Sequence, residues 1–93
     1  MILGTFTKQP SEIQDYDIDF NEYLTSMGGD SIVGHTVLAT DGITVQSSLV
    51  VNCVVKIFLS GGTTGGRYVV AARVTTNGGR VREGEIVIRV KEY

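Results

Sequence analysis

Apolar and polar residues alternate with a period of two along much of this 93-residue chain, the spacing of half-buried β-strands rather than of amphipathic helices. The longest such stretch, Val54 to Glu92, predicts three consecutive antiparallel strands. Within it Val69, Ala71, Arg73 and Thr75 alternate with Val70, Ala72, Val74 and Thr76, and Ile86, Ile88 and Val90 alternate with Val87, Arg89 and Lys91. Asn77-Gly78-Gly79 lies between the last two strands and supplies residues that accept a positive φ, as tight hairpins require. Residues 66–91 therefore read as one long hairpin.

Earlier in the chain, Ile2, Leu3 and Phe6 predict a first strand or ordered arm over residues 1–9, and Pro10, which has no N–H to donate, ends regular pairing. Asp15 to Phe20 alternates strictly, with Asp15, Asp17 and Asp19 on one face and Tyr16, Ile18 and Phe20 on the other. Asn21 to Leu24 reads as a short helical turn capped by Asn21, and Met27-Gly28-Gly29-Asp30 as a loop. The next strand, Ser31 to Ala39, has Ile32 and Val37 as core positions, and Asp41-Gly42 after it carries a hairpin signal. Ile43 to Ser47 predicts a short strand, Ser47-Ser48 a break, and Leu49 to Leu59 one long buried strand.

Seven strands result, at 1–7, 15–20, 31–39, 43–47, 49–59, 67–76 and 80–91. Together with glycine-rich corners they predict an all-β, immunoglobulin-like or fibronectin-like antiparallel β-sandwich, organised as an N-terminal strand or arm over 1–9 and a single domain over 10–93. Ser60 to Gly66 is the corner crossing between sheets. Tyr68 is placed like a corner tyrosine whose hydroxyl bonds back to upstream backbone, and Gly62 and Gly78 are the structural glycines of the two turns.

The net charge of −2 hides an uneven distribution. Residues 1–42 carry seven acidic groups against Lys8 alone, whereas residues 43–93 carry seven basic groups against three acidic ones. Either acidic and basic strands of one sandwich neutralise each other, or complementary edges meet on neighbouring copies. The arginines are not interleaved with aromatics, which argues against a nucleic-acid partner. No apolar run approaches the roughly 20 residues of a membrane-spanning helix. The opening MILGTFTKQP lacks the pattern of a secretory signal, so a mature chain starting at Met1 is expected. Cys53, the single cysteine, is expected as a buried free thiol.

No reactive constellation stands out. Asp15-x-Asp17-x-Asp19 begins like a calcium loop, but Phe20 and Ser26 occupy the places where its glycine and bidentate glutamate belong. Gly61 and Gly66 have the spacing of a phosphate-binding loop, yet Arg67 and Tyr68 follow and lead into a strand, not a helix N-terminus. His35 lies within a strand, with no serine in a nucleophile elbow to partner it. The expectation is a binding or structural module without catalytic residues, metal site or cofactor.

The order of motifs carries a resemblance over nearly the whole chain. Lys8-x-Pro10-x-Glu12 is followed by Asp15-Tyr16-Asp17-Ile18-Asp19-Phe20-x-x-Tyr23-Leu24 and Gly29-Asp30-Ser31-Ile32. Then come Leu59-Ser60-Gly61-Gly62-x-x-Gly65, Tyr68-x-Val70, Thr75-Thr76-x-Gly78-Gly79-Arg80 and a closing Ile86-x-Ile88-x-Val90. The set resembles a family of small tailed-bacteriophage virion proteins, the phage fibre-tail adaptors, although tryptophans common there near Tyr23 and His35 are absent. The resemblance implies a non-enzymatic structural protein of the virion, made in the host bacterial cytoplasm, that joins the virion's parts as a fibre-tail or neck adaptor. It also implies multiple copies, and partners among other phage structural proteins of tail, neck, fibre or capsid, without nucleic acid or membrane. A capsid decoration or cement protein is the alternative, and a carbohydrate-binding fibre module a weaker one. The candidate contacts are Phe6, Lys8, Asp15, Asp17, Asp19, Asp30, Thr63, Thr64 and Arg80, with residues 1–9 expected to pack on a neighbouring subunit or on the sheet edge.

Overall fold

The computed structural model describes residues 2–92, the side chain of Ile2 excepted; Met1, where the first strand was expected to begin, lies outside them. The chain forms seven strands and one short helix: β1 (Ile2–Lys8), β2 (Gln14–Asp19), α1 (Asn21–Ser26), β3 (Ile32–Ala39), β4 (Ile43–Val51), β5 (Val54–Gly61), β6 (Arg67–Thr76) and β7 (Val81–Val90). Two sheets pack face to face, β1-β7-β6-β3 against β2-β5-β4. The alternation in the sequence becomes the two faces of each sheet. Tyr16, Ile18 and Phe20 from one layer meet Val70, Ala72, Val74, Ile86 and Ile88 from the other, all under 8% exposed. Burying one such branched side chain is worth about 1.5–3 kcal/mol.

Several expectations are corrected. The Val54–Glu92 stretch divides at the expected Ser60–Gly66 corner: β6 and β7 pair as a long antiparallel hairpin, and β5 lies in the opposite sheet. The sandwich is not wholly antiparallel, because β1 runs parallel to β7, from Ile2 opposite Glu85 to Lys8 opposite Val90. Residues 2–8 are thus a strand of the chain's own sheet, seated on its edge.

The strand expected over 49–59 is two strands. A hairpin turns at Asn52-Cys53, with Val51 opposite Val54 and Asn52 at φ 56, so Cys53 is half-buried in a turn. Asparagine tolerates the left-handed conformation, but an apolar run on both sides hides it in the sequence. The expected break at Ser47-Ser48 is instead an irregularity between Val45 and Ser47 within continuous β4. Conversely, Asp41-Gly42 does not make a hairpin, since β3 pairs with β6 and β4 with β5. Thr40 ties that corner to β6: its N–H donates to the Val69 carbonyl at 3.0 Å and its hydroxyl accepts from the Val69 N–H at 3.2 Å.

Asn21 does not cap α1. Phe20 occupies the cap position without a side-chain bond, and Asp19 Oδ1 accepts from the Asn21 N–H at 2.8 Å, so the preceding aspartate satisfies one of the helix's free donors.

Candidate partner-binding surfaces

The molecule is elongated, 43 × 19 × 18 Å, and its turns collect at the two ends of the strands. The corner before Arg67 and the turn after Thr76 bracket the ten residues of β6, which puts about 30 Å between them. The candidate contacts fall at both ends and on one face.

At one end, Thr63 and Thr64 form the exposed tip of the glycine-rich corner. Beneath them the Tyr68 hydroxyl accepts from the Thr63 N–H at 2.9 Å. Glycines surround the ring because nothing larger fits: a Cβ on Gly66 would lie 2.7 Å from the Tyr68 hydroxyl, and one on Gly42 would lie 2.9 Å from Tyr68 Cε1. The glycines that imitate a phosphate-binding loop serve to wrap backbone around a phenol.

Lys8 lies beside this corner and is not available to a partner. It is 0% exposed, and its Nζ donates to the carbonyls of Gln9 at 2.7 Å and Gly61 at 2.8 Å, reaching that of Pro10 at 3.5 Å. Burial pushes its pKa below the ordinary lysine value, opposed by the nearby Glu12 carboxylate. A period of two puts Lys8 on the same face as Phe6. Phe6 itself is 38% exposed, its ring 5.3 Å from that of Tyr16 across the gap between β1 and β2.

At the other end Asp30, Arg80 and Gly78 come together, although the first two are 50 residues apart. Asp30 Oδ2 accepts from Arg80 Nη1 at 3.0 Å and Asp30 Oδ1 from the Gly78 N–H at 2.9 Å. A Cβ on Gly78 would sit 2.8 Å from that carboxylate, so a side chain there would displace the carboxylate from the turn. Asp30 is thus committed to clamping the Asn77–Arg80 turn onto the loop before β3. Its pKa falls to about 2, through the Thr76 hydroxyl first and then the Ser31 and Gly78 N–H groups and Arg80. The native state therefore holds its proton more weakly than the unfolded chain, where the ordinary value is 3.8. The stability Asp30 contributes is present above 3.8 and is lost as the pH falls toward 2. Urea midpoints measured across this window should drop less steeply in Asp30→Asn than in the parent; parallel curves would contradict the clamp.

The outer face of the three-stranded sheet holds the third group. Its register sets three rows across β2, β5 and β4: Asp15, Phe58, Ser47; Asp17, Lys56, Leu49; Asp19, Val54, Val51. Lys56 Nζ lies 3.0 Å from both Asp15 and Asp17, which lowers the Asp15 pKa and raises that of Lys56. The internal pairings Asp15–Lys56, Asp17–Lys56 and Asp30–Arg80 each join the acidic first half of the chain to the basic second half. Leu49 and Val51, expected in the core, are 43% and 47% exposed beside this acidic column. Sequence reasoning missed them because it ran β4 and β5 together. Separately, a cleft of about 430 Å³ opens between α1 and β7, floored by Leu3, Phe20 and Gly84, with Arg82 4.6 Å from the centre of the Tyr23 ring on its wall.

Compared with known proteins, residues 8–89 match the family model described as podophage GP4 fiber-tail adaptor protein gp77. No curated protein matches the chain.

Proposed function

We propose, from the premise that this chain belongs to the podophage GP4 fiber-tail adaptor protein family, that it is a non-enzymatic structural component of a tailed-phage virion that joins tail and fibre parts. The observation that carries this is the family match across nearly the whole folded domain. The shape supports it: an elongated sandwich with exposed turns at both ends can touch one partner at the Thr63-Thr64 corner and another at the Asn77–Arg80 end. Strands β1, β3, β2 and β4 lie at sheet edges, where unpaired backbone groups can add a partner's strand. We read the strand order as immunoglobulin-type, with β3-β6-β7 standing where strands C, F and G stand and β2-β5-β4 where B, E and D stand.

The test is a phage lacking the chain, complemented with the parent or with a corner variant carrying Thr63→Lys and Thr64→Lys. Particles without the chain should package DNA and lack fibres, and the corner variant should restore fibres poorly while folding normally. A full fibre complement in its absence would contradict the role, as would hundreds of copies on the head surface of parental particles.

A further inference from the structure

The outer faces of the two sheets are complementary in a way that one chain cannot use. On the three-stranded sheet the face presents a column of aspartates beside exposed Leu49 and Val51, and Lys56 serves two of the three carboxylates. Antiparallel sheets with one solvated face normally turn polar residues outward, whereas here Leu49 and Val51 leave aliphatic surface open beside the carboxylates. On the four-stranded sheet the outward register places Arg67 directly opposite Arg89, both exposed, and neither forms an ion pair among the described residues. Like charges facing each other across strands are destabilising. The adjacent outward row is half-buried Val69 opposite Val87, which is 2% exposed, and the row beyond it joins 53%-exposed Leu38 on β3 to Ala71 and Glu85. This face therefore offers two cations without an ion pair, with exposed Leu38 on the same face, and the other face offers the Asp19 carboxylate, which pairs with no cation among the described residues, next to exposed Leu49 and Val51. The two point away from each other on opposite sides of the sandwich.

We propose that the occupant of the aspartate–Leu49–Val51 face is a second copy of this chain, docking through its Arg67–Arg89 face in a head-to-tail contact. Such a contact is heterologous: each copy keeps one face free, so it builds a ring or a row rather than a closed pair. The inference deepens the adaptor reading by assigning the surfaces through which several copies meet, but its test uses the purified chain alone.

Sedimentation velocity of the full chain at low ionic strength should show self-association that weakens as salt is added. Arg89→Glu spoils the basic face and Leu49→Lys the acidic one, and both positions are exposed. Each variant alone should associate about tenfold or more weakly than the parent, the size of effect expected on removing one member of a desolvated charge pair. Arg89→Glu should at the same time raise Tm slightly, because Arg67 then faces an opposite charge; a mere folding defect would lower it. An equimolar mixture of the two variants should form a dimer that grows no further, since each retains the face the other lacks. A parent chain that stays monomeric, or a mixture that does not pair, would overturn the proposal. A foreign virion protein that binds the parent but not Leu49→Lys, while the parent stays monomeric, would reassign the face to that partner and likewise overturn it.

Discussion

Gly62→Ala should destabilise the chain by about 3 kcal/mol, through left-handed backbone strain together with overpacking. Gly62 has φ +94, and an added Cβ would stand 2.5 Å from Val90 Cγ2 and 3.4 Å from Tyr68 Cε2. Its N–H also donates to the Gly42 carbonyl at 3.0 Å, so the backbone cannot rotate to escape without losing that bond. For a domain of this size the loss corresponds to a drop in Tm of roughly 12–24 °C. Gly65→Ala is the control, having a similar φ of +87 but nothing within 4 Å of the new Cβ. Strain alone then acts, and the cost should be about 1 kcal/mol. Thermal melts followed by circular dichroism separate the two; equal losses would show that the packing of the corner against Val90 is not what fixes Gly62.

Lys8→Ala should cost a comparable amount, about 3 kcal/mol, because it leaves a cavity and strips donors from the Gln9 and Gly61 carbonyls. Lys8→Met fills much of the space without restoring the donors and should cost about 1–3 kcal/mol. The pH dependence identifies the cause. The buried ammonium has a lower pKa in the folded chain than the ordinary 10.5, so the unfolded chain holds that proton more tightly. Stability therefore rises with pH as the folded-state value is passed and until 10.5 is reached, and the full penalty for burying the charge applies below that window. The advantage of the parent over Lys8→Met, measured by urea denaturation, should widen as the pH rises toward 10.5. A constant difference would mean that the amine is solvated.

The strands were legible because their signal is local. A period of two needs only neighbouring residues, and it placed Tyr16, Ile18 and Phe20 inside and the three aspartates outside. Beyond the Ser60–Gly66 crossing, sheet membership was not legible, because pairing depends on contacts distant in sequence: nothing near β1 says that it will run parallel to β7, more than 75 residues away. Turn chemistry misled in both directions, with Asp41-Gly42 turning between sheets and Asn52-Cys53 making the true hairpin. The contact surfaces followed the same division. The outward aspartates could be read directly, whereas the Asp30–Arg80 clamp and the Arg67–Arg89 juxtaposition exist only once register is set. Lys8, a candidate contact by its charge, is buried because the distant Gly61 carbonyl closes over its ammonium, which no local pattern announces.

The most direct measurement of the joining role is an electron-microscopy map of the virion at a resolution that traces strands. The account predicts density for the two-sheet body between tail and fibre, with the Thr63-Thr64 corner and the Asn77–Arg80 end against different neighbours. Density for this chain only on the head shell, or both ends facing solvent, would contradict it.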